Sequence, residues 1–175
     1  MSIYVELTAH VNKGGLFLLN PSMPGQPGTL GRTMYVSAEI NFKLEGPWET
    51  EQEEMNCQVL KRDFDRFMTG QIIATRMPPR TSVNAFIALL DPPRDEIWEI
   101  RTRESRPQFR ALGSFADTDV FVALTLWERS DLDASADWRY AMVECGCQWR
   151  RLFPAYSPKS GRTIHDYISN NTFPV

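Results

Sequence analysis

Apolar and polar residues alternate twice within the first 45 positions. Ile3, Val5, Leu7, Ala9 and Val11 are interleaved with Tyr4, Glu6, Thr8 and His10. Met34, Val36, Ala38, Ile40, Phe42 and Leu44 are interleaved with Tyr35, Ser37, Glu39, Asn41 and Lys43. A period of two predicts half-buried strands. Between the two runs, Asn12-Lys13-Gly14-Gly15 predicts a turn, residues 16–19 a short apolar strand, and the stretch 21–31, with three prolines and three glycines, a loop.

The period changes after Gly46-Pro47. Acidic residues at 49–54 suit the positive end of a helix dipole. Cys57, Leu60, Phe64, Phe67, Met68 and Gln71 then follow helical spacing as far as a stop at Gly70. Ser82 predicts the cap of a short helix carrying Val83, Phe86, Ile87 and Leu90, with a strand as the alternative. Three strand-like runs follow at 96–103, 108–115 and 120–127. Glu104-Ser105-Arg106-Pro107 and Ala116-Asp117-Thr118-Asp119 separate them, and such short turns predict an antiparallel meander. Asp137 opens a helix whose apolar stripe is Trp138, Ala141, Met142, Cys145, Trp149, Leu152 and Phe153, ended by Pro154. A last short helix is predicted over 163–169.

These elements predict an α+β fold: an antiparallel sheet, built from the meander 96–127 and the N-terminal strands, with helices packed on one side. The organisation expected is a β-rich extension over 1–54 and an α+β core over 55–175. Met55 is a second candidate start, against which stand the two alternating runs upstream of it. The chain has 175 residues, 42% hydrophobic and 23% charged, which is ordinary for a globular protein. No apolar run approaches the ~20 residues that span a bilayer, and no basic segment precedes an apolar one at the N-terminus. The expectation is a cytoplasmic protein without membrane association. Three cysteines, Cys57, Cys145 and Cys147, suggest reduced thiols rather than a disulfide framework. Net charge is −3, unevenly placed: residues 1–54 carry three basic and seven acidic side chains, residues 55–175 sixteen basic and fifteen acidic. Fourteen of those sixteen are arginines, the residue suited to bidentate contacts with carboxylate or phosphate.

Few residues offer catalytic chemistry. The glycine-rich stretches lack the lysine and the following helix of a phosphate loop. With two histidines, and with Cys145 and Cys147 two apart on a helix, a metal site is not expected, and no cofactor is implied. His165, in His165-Asp166-Tyr167, is the one group with acid–base capacity near neutral pH. Arg101, Arg103 and Arg110 lie on adjacent strands of the meander. If they share a face, they form a patch able to hold phosphate. A salt-bridge lattice with Glu96, Glu99 and Glu104 is the competing reading.

The runs Glu96-Ile97-Trp98-Glu99-Ile100-Arg101, Phe109-Arg110-Ala111-Leu112 and Val120-Phe121-Val122-Ala123-Leu124 resemble the RelE/HigB superfamily of toxin endoribonucleases, over about residues 55–155. That family has a small antiparallel sheet with helices before and after it. Its members cleave messenger RNA on the ribosome without a metal. The resemblance implies that Arg101 and Arg110 contact RNA phosphate or stabilise charge in the transition state. Trp127-Glu128-Arg129 stands where the HigB branch has a lysine pair, and residues 1–54 have no counterpart. Two functions remain open. One is a metal-independent ribonuclease using Arg101, Arg110 and His165, with Arg103 and Arg129 on the nucleic acid. The other is a non-enzymatic module that binds protein or nucleic acid. The partners to test are accordingly RNA, the ribosome or another protein.

Overall fold

A computed structural model describes residues 2–25 and 27–175. Eight strands form one mixed sheet in the order β1-β2-β7-β6-β5-β4-β3-β8. They are β1 (Leu16–Leu18), β2 (Thr33–Ser37), β3 (Ile73–Arg76), β4 (Ile87–Leu89), β5 (Trp98–Arg101), β6 (Phe109–Asp117), β7 (Val120–Glu128) and β8 (Thr172–Pro174). The helices are α1 (Ile3–Asn12), α2 (Ala38–Glu45), α3 (Glu51–Met68), α4 (Ser135–Leu152) and α5 (Ile164–Tyr167).

The antiparallel sheet expected from the sequence is corrected to a mixed one. The meander β5-β6-β7 is antiparallel. However, β2 runs parallel to β7, and β3 runs parallel to both β4 and β8. Short turns specify only the antiparallel neighbours. The parallel pairs join segments far apart in the chain, whose partners local pattern does not announce.

The helices cover both faces of the sheet, not one. On one side α2 and α3 bury Ile40, Leu44, Leu60, Phe64 and Phe67 against Met34, Val36, Trp98, Ile100 and Phe121. On the other, α1 and α4 bury Leu7, Ala141, Met142, Cys145 and Trp149 against Leu112, Val120, Val122 and Leu124. Each Leu, Ile, Val, Met or Phe side chain among these contributes roughly 1.5–3 kcal/mol when fully buried. Residues 1–54 supply β1, β2, α1 and α2 to this single sheet and its two cores, and Met55 falls inside α3.

The N-terminal strand expected at 3–11 is instead α1. Ile3, Leu7 and Val11 are spaced by four, and all three pack into the second core. A period-two run contains a period-four subset, so it also presents one helix face. The second alternating run is half strand and half helix. Met34 and Val36 point into the core from β2, then Ser37 caps α2 by accepting the Ile40 N–H, and Ile40 and Leu44 continue inward at helical spacing.

The long helices follow the sequence more closely. Thr50 caps α3, its hydroxyl accepting the Glu53 N–H at 3.1 Å while Glu53 accepts the Glu49 N–H at 3.0 Å. The first bond satisfies an N–H group that the first turn leaves without a partner, and the second ties the chain just before the cap to the helix. In α4 the cap position is Ala134 rather than Asp137. Asp137 sits in the first turn and accepts the Ala134 N–H at 2.9 Å. The segment read as a short helix over 82–90 contains β4, with Ile87, Ala88 and Leu89 all buried.

Candidate functional site

The strands place the arginines by register. Arg101 pairs with Arg110, and Glu99 pairs with Leu112. Trp98 and Ile100 belong to the α3-side core, so Glu99 and Arg101 project from the other face. Glu99 also lies opposite Ala88, which lies opposite Arg76. The small Ala88 side chain leaves room for Arg76 to reach across the row.

Glu99 is fully buried and becomes the hub of a charged cluster. Arg101 donates from Nε to its Oε1 at 2.8 Å and also from Nη2. Arg110 Nε stands 3.4 Å from Oε2, and Arg76 Nη2 stands 3.9 Å from Oε1. Three guanidiniums thus surround one carboxylate. Backbone carbonyls complete the set: Arg101 donates to Val83 O at 3.0 Å, and Arg110 to Phe109 O at 2.9 Å. The positive excess is felt in titration. Burial, aided by the Arg101, Arg129 and Arg103 charges and opposed by Glu99, pulls the Arg110 side chain down to about 10. Arg76 is lowered as well, first by burial and then by Arg101.

Arg103 lies just past the end of β5, on a turn held from below. Asn56 of α3 accepts the Arg106 N–H at 3.0 Å and donates to the Arg106 carbonyl. Thr102 accepts the Phe109 N–H at 2.7 Å. Arg103 then donates to Val83 O at 2.8 Å and remains exposed. Arg129, at the end of β7, donates to Leu132 O and Asp133. Its charge still reaches Arg110.

Arg101 and Arg103 open into a cleft of about 260 Å³ at the ends of β3, β4, β5 and β8. Asp63 and Arg66 of α3, Asn84, Phe86 and Phe173 share its walls. Arg66 lies over the Phe86 ring at 5.3 Å. Burial pushes the Asp63 carboxyl up to about 6, with Glu104 adding to the rise and Arg62 and Arg66 opposing it. The sequence reading missed Asn56, Asp63 and Arg66, which look there like ordinary polar positions on an amphipathic helix. Asp63 and Arg66, three apart, do share a helix face, but only the fold shows that this face borders the arginines.

His165 is not part of this assembly. Its helix docks through Tyr167, which packs on Trp98 at 4.7 Å and on Phe115 at 5.6 Å in the α3-side core. The helix is also tied to the β6–β7 turn, where Thr118 donates to Asp166 O. Arg110 lies at the far end of β6, seven residues or about 23 Å from that turn. The predicted glutamate lattice also divides. Glu99 joins the arginines, Glu96 accepts from the Tyr167 hydroxyl at 2.6 Å, and Glu104 pairs with Arg62 at the surface.

Cys57 and Cys145 are buried and Cys147 is exposed. Burial pushes the Cys145 thiol up to about 12, so it stays protonated. Among the described residues no three His, Cys, Asp or Glu side chains gather as metal ligands, and no helix is long and apolar enough to cross a membrane. Comparisons of the chain with family models, curated proteins and solved structures gave no match.

Proposed function

We propose that the protein binds single-stranded RNA, gripping the phosphate backbone at the arginine-rich cleft and acting as a binding module rather than a nuclease. The observation that carries this reading is the convergence of Arg66, Arg101 and Arg103 in one cleft beside the half-exposed ring of Phe173. A cationic groove next to an aromatic face is the arrangement that holds unpaired strands, the charge tracking phosphates and the ring stacking on a base. The cleft walls carry Arg66, Arg101 and Arg103 against Asp63 and Glu104, a local excess of positive charge in a chain whose net charge is −3. The RelE/HigB-like strand pattern supports RNA as the ligand. Cleavage receives less support, because His165 lies away from the cleft, Arg101 directs donors to Glu99 and the Val83 carbonyl, and Arg110 directs its donors to the carbonyls of Thr102 and Phe109.

Titrating a fluorescently labelled oligoribonucleotide and following its anisotropy at several salt concentrations tests the proposal. Binding is expected to weaken steeply as salt rises. It is expected to fall more than about tenfold in the Arg66→Glu/Arg103→Glu double variant, which alters two exposed side chains. The RNA is expected to remain intact. Absence of saturable binding overturns the reading, and RNA cut by the wild type but not by Arg110→Ala replaces it with a ribonuclease.

A further inference from the structure

β2 covers only part of the outer edge of β7. The two strands pair from Thr33–Val120 to Val36–Ala123, and the chain then turns into α2 at Ala38 while β7 runs on to Glu128. Arg129 donates its N–H to Gln108 O, so in the β6–β7 ladder Leu126 and Glu128 hold the places whose backbone groups point away from β6. No strand pairs with that stretch of β7 on this side. A groove of about 420 Å³ lies along the open edge, bordered by Glu39 and Phe42 of α2 and by Asp131. Glu39 and Phe42, three apart, share one face of the helix. Phe42 belongs to neither core and is 65% exposed. Trp127 also lines the groove and meets Tyr140 of α4 edge-on at 6.0 Å, Tyr140 being 64% exposed.

The groove is anionic. Glu39, Glu128 and Asp131 line it, and Glu144 of α4 stands close enough to act on Glu39. None of these four carboxylates makes an ion pair among the described residues. Lys43, on the same wall, is taken by Glu53. Arg129, next to Glu128, donates instead to Leu132 O and Asp133. Partial burial and the Glu144 charge raise the Glu39 carboxyl above its ordinary value of 4.5, opposed by the Leu126 N–H. A cation brought into the groove relieves that crowding of like charges.

We infer that this open edge docks a basic segment of another protein, one in which arginine or lysine flanks an apolar residue. The cationic side chain lies among Glu39, Glu128 and Asp131, and the apolar residue covers Phe42. The Leu126 carbonyl, on the same edge, is a further acceptor for the incoming N–H groups. Charge repulsion keeps nucleic acid off this surface. With its net charge of −3, a second copy of the chain is a poorer electrostatic match than a cationic partner. A groove that takes one or two side chains suits a transient contact. The surface is separate from the arginine cleft and does not depend on it.

Fluorescence anisotropy of the full chain with labelled peptides tests the assignment. The probes are Gly-Arg-Leu-Arg-Gly, the same peptide with serine for leucine, and the same peptide with citrulline for both arginines. Saturable binding of the first is expected. The serine peptide is expected to bind at least about fivefold more weakly for want of its apolar contact, and the citrulline peptide more than about tenfold more weakly for want of its charge. Phe42→Ser and Asp131→Lys, both at exposed positions that spare the fold, are each expected to weaken binding of the first peptide at least about fivefold. No saturable binding at millimolar peptide sinks the inference. Equal binding of the leucine and serine peptides, or binding unmoved by Phe42→Ser, reduces the contact to diffuse attraction and overturns it as well. Sedimentation velocity supplies the last arm: self-association of the wild type that Phe42→Ser abolishes would assign the surface to a second copy instead.

Discussion

Arg32 and Arg103 are the same residue type used in opposite ways. Arg32 is buried, and it donates to four backbone carbonyls, of Phe67, Gln71, Asn170 and Asn171, at 2.8 to 3.3 Å. Its guanidinium also lies over the Phe67 ring at 5.4 Å, with Asp119 at 4.0 Å. Every direction in which it could reach a ligand is occupied by its own chain, and it joins the end of α3 to the segment before β8. Arg103 anchors through Nη2 to the carbonyls of Val83 and Ala85, and otherwise faces solvent in the cleft. The Arg76–Arg101–Arg110 cluster stands between these extremes, less buried than Arg32 and with one carboxylate for three cations. An arginine therefore does not announce its role by identity. What distinguishes a structural arginine is whether the folded chain satisfies its donors.

The sharpest test of this contrast is Arg32→Leu. It removes a donor from four carbonyls; those of Phe67 and Asn171 keep the Gly70 and Ile73 N–H groups, while those of Gln71 and Asn170 lose their partner, at about 1–3 kcal/mol each before relaxation or water entry, and the packing of Arg32 itself is lost as well. A loss of more than about 3 kcal/mol in urea unfolding is expected, whereas Arg103→Leu is expected to stay within about 0.5 kcal/mol. Equal losses for the two would erase the distinction.

Glu99→Gln comes next. Removing the one carboxylate strands three largely buried guanidiniums, and breaking a buried pair from one side typically costs about 3–5 kcal/mol. Gln retains an acceptor, so a loss nearer about 3 kcal/mol is expected. If Arg101→Met is introduced into the same background, part of that loss should return, because one stranded charge is gone. Chemical denaturation of the single and double variants measures this. Strictly additive losses would mean that the cluster is not coupled.

How much of this was legible beforehand differs from element to element. The stripes of α3 and α4 were readable because five and seven apolar residues at helical spacing admit no other period. The meander was readable because its turns are short and polar. α1 was not, since Ile3, Leu7 and Val11 fit a strand and a helix alike, and the choice is made by docking against β1 and the end of α4 rather than by local sequence. At the site, adjacent strands for Arg101 and Arg110 followed from the meander, but their direct pairing on one face is a matter of register that the turns do not state. The approach of both to Glu99 needed the sheet register, and the reach of Arg76 to the same carboxylate needed the small Ala88. Asp63 and Arg66 needed the α3-to-β3 connection, which sets the helix face beside the cleft, and no spacing in the chain encodes that.

A pH titration sharpens the contrast within the cleft itself. The Asp63 carboxyl is raised to about 6, above its ordinary value of 3.8, so the folded state holds its proton more tightly than the unfolded chain does. Below about 4 the group is protonated in both states and has no effect. As pH rises from there through about 6, the unfolded chain gains more from ionisation, and Asp63 costs the fold stability. Asp63→Asn is therefore expected to match the wild type near pH 4 and to exceed it in thermal stability at pH 7.5. RNA binding should follow the same group, because neutral Asp63 leaves Arg66, Arg101 and Arg103 less compensated. Affinity is expected to rise severalfold as pH falls from 7.5 to 5.5, and to be nearly flat over that range in Asp63→Asn.

The smallest effect expected separates two glycines. Gly146→Ala restores a helix-favouring residue in the interior of α4, which should stabilise the protein by about 0.8–1 kcal/mol. No neighbour has to move, since the nearest atoms lie 3.4 Å or more from the added Cβ. The same exchange at Gly113 is a control of opposite sign, because a Cβ there would fall 2.0 Å from the Val122 carbonyl oxygen. Unfolding measurements on both variants make the comparison direct. Destabilisation at Gly146 would show that the helix packs against Ile97 and Arg150 more tightly than the distances imply. Stabilisation there, with loss at Gly113, means that a glycine excluding backbone collision and one with room for a side chain are physically different, although the sequence writes them alike.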